Sequence, residues 1–176
     1  MSPKSTLINS AGQATFGYFP NGVREINYRD FDLRSPMDRK LGALAKRFKF
    51  NQFQFVALVS PELIVGIAIV DLKLVSNAFV YLYQPASGAF EEFSFIQPFG
   101  RNTEIGLRPN DSEAVFRQGK NTLSIVADER SKLRRVNVSL AGGVEIAAQI
   151  GESDCTPLAM CSRAGYQGWV FTQKTA

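Results

Sequence analysis

The pattern of apolar and polar positions is sharpest between Phe48 and Leu74, FKFNQFQFVALVSPELIVGIAIVDLKL. From about Phe50 to Ser60, Phe53 and Phe55 alternate with Gln52 and Gln54. A period of two predicts a strand with two unlike faces. Alternation alone leaves open which of those faces is interior. From Leu63 to about Leu72 the run LIVGIAIV is apolar on both faces and rich in β-branched residues, which predicts a central strand covered on both sides. Pro61-Glu62 separates the two, because proline gives no N–H to a ladder and fixes φ.

The rest of the chain extends this β pattern. Residues 1–15 are polar overall and predict a loose N-terminal arm, with a single β domain over 16–176. Short strands are predicted at Phe16–Phe19 and Arg24–Phe31, either side of the turn Pro20-Asn21-Gly22. Met37–Lys46 has helix composition, with Asp38 early and Lys40 and Lys46 late, as the helix dipole favours. Further strands are predicted at Ala78–Tyr83, Ala89–Gln97, Ala114–Arg117, Thr122–Asp128, Arg135–Ala141, Val144–Gly151 and Gly168–Lys174, and longer loops at Arg101–Glu113 and Glu152–Gly165. Short turns such as Gly119-Lys120-Asn121 and Gly142-Gly143 make neighbours pair as a meander. About ten short antiparallel strands with one short helix predict an all-β fold, a barrel or a strongly curved sandwich.

Composition narrows the chemistry. The 176 residues suffice for one domain with a sizeable core. Fourteen phenylalanines predict a wide interior or a ligand cavity lined by rings. There is no histidine, which removes the usual general base, the commonest zinc ligand and any Ser-His-Asp or Cys-His arrangement within this chain. Cys155 and Cys161 read as small apolar fillers, since a disulfide needs an oxidising compartment. The net charge of +4 is mild and demands no acidic partner. The N-terminus lacks a run of signal-peptide length, and LIVGIAIV falls far short of the ~20 residues that cross a bilayer. The expectation is a soluble, cytoplasmic protein with reduced thiols, no transmembrane segment and no cofactor.

Some residues invite a chemical reading. Asp71 ends the most apolar strand, where a carboxylate beside a packed wall can serve as a proton donor. Equally, it can accept backbone N–H bonds from the following turn. Tyr81 and Tyr83 share a strand face and can orient a polar ligand head in a cavity, or sit half-buried with hydroxyls in water. Gln52 and Gln54 are either solvent-facing or an interior hydrogen-bonding pair. Trp169, with Phe171 and Lys174, can plug a barrel end or form a seam to a second domain. Lys46-Arg47-Phe48-Lys49-Phe50 interleaves basic and aromatic residues, but the glycines and βαββαβ order of a nucleic-acid-binding sheet are missing, so no nucleic-acid partner is expected. Arg130, Lys132, Arg134 and Arg135 read as a solvated hairpin tip.

Four segments together, FGYFPNGVREINYRDFDL, RFKFNQFQFVALVSPELIVGIAIVDL, NAFVYLY and PLAMCSRAGYQGWVFTQK, resemble the bacterial domain-of-unknown-function family 2804. The resemblance runs from about Phe16 to Lys174 and is most specific at Ile69–Leu72 and at Gly168–Lys174. That family is similar to a wider lipocalin-like group that includes carotenoid hydratases and tocopherol cyclases and is built as two successive barrels. The resemblance therefore implies a lipocalin-like barrel, with this chain as the first half and the second absent. It carries over no catalytic residue. The expected function is binding of a small, largely apolar molecule, lipid-like or isoprenoid-like, by Phe53, Phe55, Tyr81, Tyr83 and Trp169 in a barrel interior. The alternatives are a hydratase-type or cyclase-type enzyme with Asp71 as acid, and a structural half that self-associates or docks a second β domain through an apolar patch around Trp169 and Phe171.

Overall fold

The apolar run at the centre of the sequence becomes an inner strand of a four-stranded antiparallel sheet in a computed structural model that describes residues 6–175. In chain order the strands are β1 (Gly17–Tyr18), β2 (Gln52–Val59), β3 (Ile64–Asp71), β4 (Val75–Gln84), β5 (Ala89–Pro98), β6 (Thr103–Ile105), β7 (Ser112–Gln118), β8 (Asn121–Asp128), β9 (Leu133–Ser139), β10 (Glu145–Gly151), β11 (Leu158–Ala164) and β12 (Gly168–Lys174). One helix, α1 (Ala43–Lys49), and a 3-10 turn at Tyr28–Asp30 complete the regular structure. Strands pair in three antiparallel sheets, ordered β2-β3-β4-β5, β10-β9-β8-β7-β6 and β1-β11-β12. The all-β, antiparallel fold with one short helix is as predicted. Of the two predicted forms it is the sandwich, since none of the three sheets closes on itself.

The two larger sheets pack face to face. Val56, Ile67, Ile69, Ala78 and Val80 from one sheet meet Phe116, Leu123, Ile125, Val136 and Val138 from the other in one buried cluster. These side chains take up the space between the sheets, which is the spacing of ~10 Å that interdigitating apolar side chains fill in a sandwich. The third sheet covers a second, smaller core of Leu7, Ile8, Ala14, Phe19, Val23, Ala159 and Cys161.

Several sequence expectations change. Residues 6–15 are not a loose arm: Leu7 and Ile8 are fully buried, and Ile8 is clamped by the Asn27 side chain, which accepts from Ile8 N at 2.8 Å and donates to Ile8 O at 3.0 Å. Residues 1–5 of the expected arm lie outside the described residues. Arg24–Phe31 is not a strand; a single bridge from Thr6 to Glu25 and the 3-10 turn occupy it. The helix starts later than expected. Ser35 Oγ accepts from Met37 N and Arg39 N, and Asp38 takes φ +58°, so a turn occupies the predicted helix start and Gly42 becomes the N-cap. The predicted loops hide two strands, β6 and β11. Among the described residues no helix is long and apolar enough to cross a membrane.

Candidate functional site

The register of the four-stranded sheet sorts its side chains onto two faces. Successive cross-strand rows on the inner face are Gln54–Ile69–Ala78–Phe95 and Val56–Ile67–Val80–Phe93. The outer rows are Phe53–Val70–Asn77–Ile96, Phe55–Ala68–Phe79–Ser94, Ala57–Gly66–Tyr81–Glu92 and Val59–Ile64–Tyr83–Phe90. The glutamines of β2 therefore point into the sandwich and its phenylalanines point out. Gln54 Oε1 is buried there without a hydrogen-bond partner.

This outer face is apolar almost throughout. Phe53, Val59, Phe90 and Ile96 are 70, 72, 61 and 65% exposed, and they stand at the ends of the edge strands β2 and β5. Tyr81 lies flat over Gly66, where an added Cβ would come within 2.1 Å of its ring, and stacks on Phe90 at 6.1 Å between centroids. The strand needs glycine there because the tyrosine ring fills the volume a side chain would take. In contrast, the outer face of the five-stranded sheet carries Thr122, Ser124, Arg135, Asn137, Ser139 and Gln149, an ordinary water-facing set. Four of the residues singled out from sequence, Phe53, Phe55, Tyr81 and Tyr83, thus come together on one surface. That surface lies outside the sandwich rather than lining an enclosed interior. Sequence reasoning missed Val59, Phe79, Phe90 and Ile96; the β4–β5 hairpin register, which sets Phe90 opposite Tyr83, is the signal that reaches them.

Asp71 and Trp169 lie elsewhere. Asp71 is buried at one end of the inner face, in the row Gln52–Asp71–Ser76–Gln97. Its Oδ1 accepts from Lys73 N at 2.8 Å and its Oδ2 accepts from Lys73 Nζ. Lys73 Nζ also donates to Gln52 Oε1 at 3.2 Å and sits 5.6 Å over the Phe50 ring. Beside this pair, Gln97 Nε2 donates to Thr103 Oγ1 at 3.2 Å, and Thr103 Oγ1 donates to Ser76 Oγ at 2.9 Å. Asp71 is held by the turn that follows it and by an ion pair. Of its two sequence readings, the turn acceptor matches this geometry.

Trp169 packs inward. Its ring meets Phe31 edge-on at 6.2 Å and Phe50 at 6.0 Å, and Phe50 stacks on Tyr28 at 3.9 Å. Trp169 and Phe171 both back onto the second core, so the apolar patch expected around them does not face solvent. The exposed apolar side chains of that sheet are instead Tyr18, Leu158, Met160 and Val170. Cys155 and Cys161 are free thiols, and burial pushes Cys161 up to about 11. The surface clefts include one of about 240 Å³ beside Asn137 and Ile146 and a charged one of about 410 Å³ between Arg24, Arg108, Asp111 and Glu129. Neither includes a residue of the aromatic face or Asp71. Among the described residues no group of three or more cysteine, aspartate or glutamate side chains is gathered to hold a metal ion.

No curated protein and no solved structure matches the chain. The family comparison does find a match, and it spans residues 1–175: the chain belongs to the family described as Domain of unknown function (DUF2804).

Proposed function

We propose that this chain is a docking module whose working surface is the aromatic outer face of the four-stranded sheet, and that this face packs against a second β layer. One observation carries the reading: β2 sends its glutamines into the sandwich and its phenylalanines outward. A sheet with one face in water normally does the reverse. Leaving a phenylalanine exposed forgoes roughly 1.5–3 kcal/mol of burial, so a face built of them is explained by a partner that covers it. The two-barrel organisation implied by the resemblance supports the same reading.

A second reading has its own support. Tyr81 and Tyr83 place two hydroxyls among the apolar rings, and such groups can orient the polar end of a lipid-like or isoprenoid-like molecule held between the face and its cover. Small ligands favour concave sites, so the molecule would depend on the covering layer for its pocket. The acid-catalysis reading has no support from Asp71, whose carboxylate is taken up by Lys73.

The test uses dilute protein, so that any association is dissociated, and an apolar fluorescent dye, 1-anilinonaphthalene-8-sulfonate. The wild-type chain should bind and brighten the dye, and the double variant Phe53→Glu, Phe55→Glu should lose most of that signal. Equal dye fluorescence from both proteins would remove this face from the function.

A further inference from the structure

Resting on that docking reading, we infer that the layer covering the aromatic face is a second copy of this chain, joined through a two-fold, isologous interface. The first argument is area. An aromatic side chain presents ~150–250 Å², so Phe53, Phe55 and Phe90 at their observed exposures leave roughly 350 Å² open. Val59, Ile96 and the half-buried Ile64, Val70, Phe79, Tyr81 and Tyr83 bring the face to roughly 800 Å². That exceeds the largest apolar patch of a typical monomer, ~300–600 Å², and equals what each partner contributes to a standard interface, ~800 Å².

The second argument is charge. On the outer rows of all four strands the one ionisable carboxylate is Glu92, on the edge strand β5, and there is no lysine or arginine. A charged partner gains nothing from such a face, whereas an uncharged apolar one loses nothing. A second copy supplies that surface and buries no unpaired charge at the centre of the contact. The third argument is shape. The Tyr81 ring covers Gly66 and fills the gap that the missing side chain leaves in the middle of the face. Sheet faces without such gaps pack on one another in the aligned manner of a sandwich, at ~10 Å separation.

The experiment measures mass by light scattering across a rising concentration series. Wild type should approach twice the chain mass. Phe53→Glu and Phe90→Glu, each at an exposed position, should weaken the dimer by roughly tenfold or more, with unchanged circular dichroism. Ser124→Glu, on the polar outer face of the five-stranded sheet, should dimerise as wild type does. A single-chain mass at every concentration would overturn the inference, and so would a dimer indifferent to the two phenylalanine variants. If the wild type stays monomeric yet its dilute form loses dye binding on Phe53→Glu, Phe55→Glu, the face docks something other than its own copy; if dye binding is also unaffected, the docking reading fails with it.

Discussion

Replacing Asp71 by asparagine tests what the buried Asp71–Lys73 pair contributes to stability. Asp71 ends β3 on the inner face, and Lys73 folds back over it from the following turn, where its backbone takes φ +68°. The two side chains are 10 and 12% exposed, which places the pair with buried rather than surface ion pairs. Asparagine keeps the shape and can still accept from Lys73 N, but it leaves the ammonium facing an amide between Gln52 and the Phe50 ring. Removing one partner of a buried pair costs about 3–5 kcal/mol, because the other charge stays behind. The residual exposure and the Gln52 acceptor put Asp71→Asn at the low end, about 3 kcal/mol. Native domains hold only ~5–15 kcal/mol in all.

Urea unfolding reads this directly. With a slope of ~2 kcal/mol per molar, the midpoint should fall by roughly 1.5 M at unchanged slope. Lys73→Met, which keeps the side-chain length and the same backbone requirement, leaves the Asp71 carboxylate without its cation and should cost a similar amount. The double variant Asp71→Asn, Lys73→Met should recover part of the loss, since an apolar replacement of a whole buried pair is often near neutral. If Asp71→Asn shifts stability by less than ~0.5 kcal/mol and adds simply to Lys73→Met, the pair is solvent-screened and the reasoning is wrong. The same experiment bears on acid catalysis at Asp71: any activity lost in Asp71→Asn has to be separated from unfolding.

Substitutions at two other sites have definite expected outcomes. Gly66→Ala should expel the Tyr81 ring, costing about 1–3 kcal/mol by overpacking, and Tyr81→Ala in the same chain should cancel most of that cost in a double-mutant cycle followed by chemical denaturation. Burial raises Cys161 from 9.0 to about 11, so between those values the unfolded chain has lost a proton that the folded chain keeps, and stability falls as pH rises from about 9 to about 11. Cys161→Ala should flatten that part of the pH–stability curve relative to wild type, and in the native protein a thiol reagent should modify Cys155 well before Cys161.

Much of the fold is legible in the order of residues because strands with one apolar face announce themselves. β8, β9 and β10 alternate cleanly; Leu123 and Ile125 of β8 and Val136 and Val138 of β9 form the sandwich core, with Ile146, Ala148 and Ile150 of β10 packed against it. β11 escapes notice for a physical reason. It buries its small residues, Ala159 and Cys161, and exposes its large ones, Leu158 and Met160, so no apolar stripe marks the inner face. β6 is three residues long and carries no period at all. The Asp71–Lys73 pair depends on a lysine in left-handed backbone, which asparagine or glycine would advertise and lysine does not. Trp169 meets Tyr28, Phe31 and Phe50 through contacts that span more than half the chain, directly or through one another, and nothing local in Gly168–Lys174 names those partners.

The inverted strand β2 is the place where local pattern and tertiary structure part most usefully. Its alternation is equally compatible with either face inward, and the choice is made by β3, whose inner residues Ile67 and Ile69 oppose Val56 and Gln54. Burying those isoleucines in the sandwich forces the glutamines in and the phenylalanines out. The resulting apolar face of roughly 800 Å² corresponds to ~20 kcal/mol of burial at ~25 cal/mol per Å². Association itself consumes ~4–15 kcal/mol or more, with side-chain ordering and polar desolvation in addition, so only a small part of that burial is left as binding energy. At their observed exposures Phe53 and Phe55 supply roughly 230 Å² of this, or ~6 kcal/mol. Removing both therefore takes away a large share of what the face can offer a partner, and two substitutions at positions that touch neither core decide whether the face is a working surface or an accident of the fold.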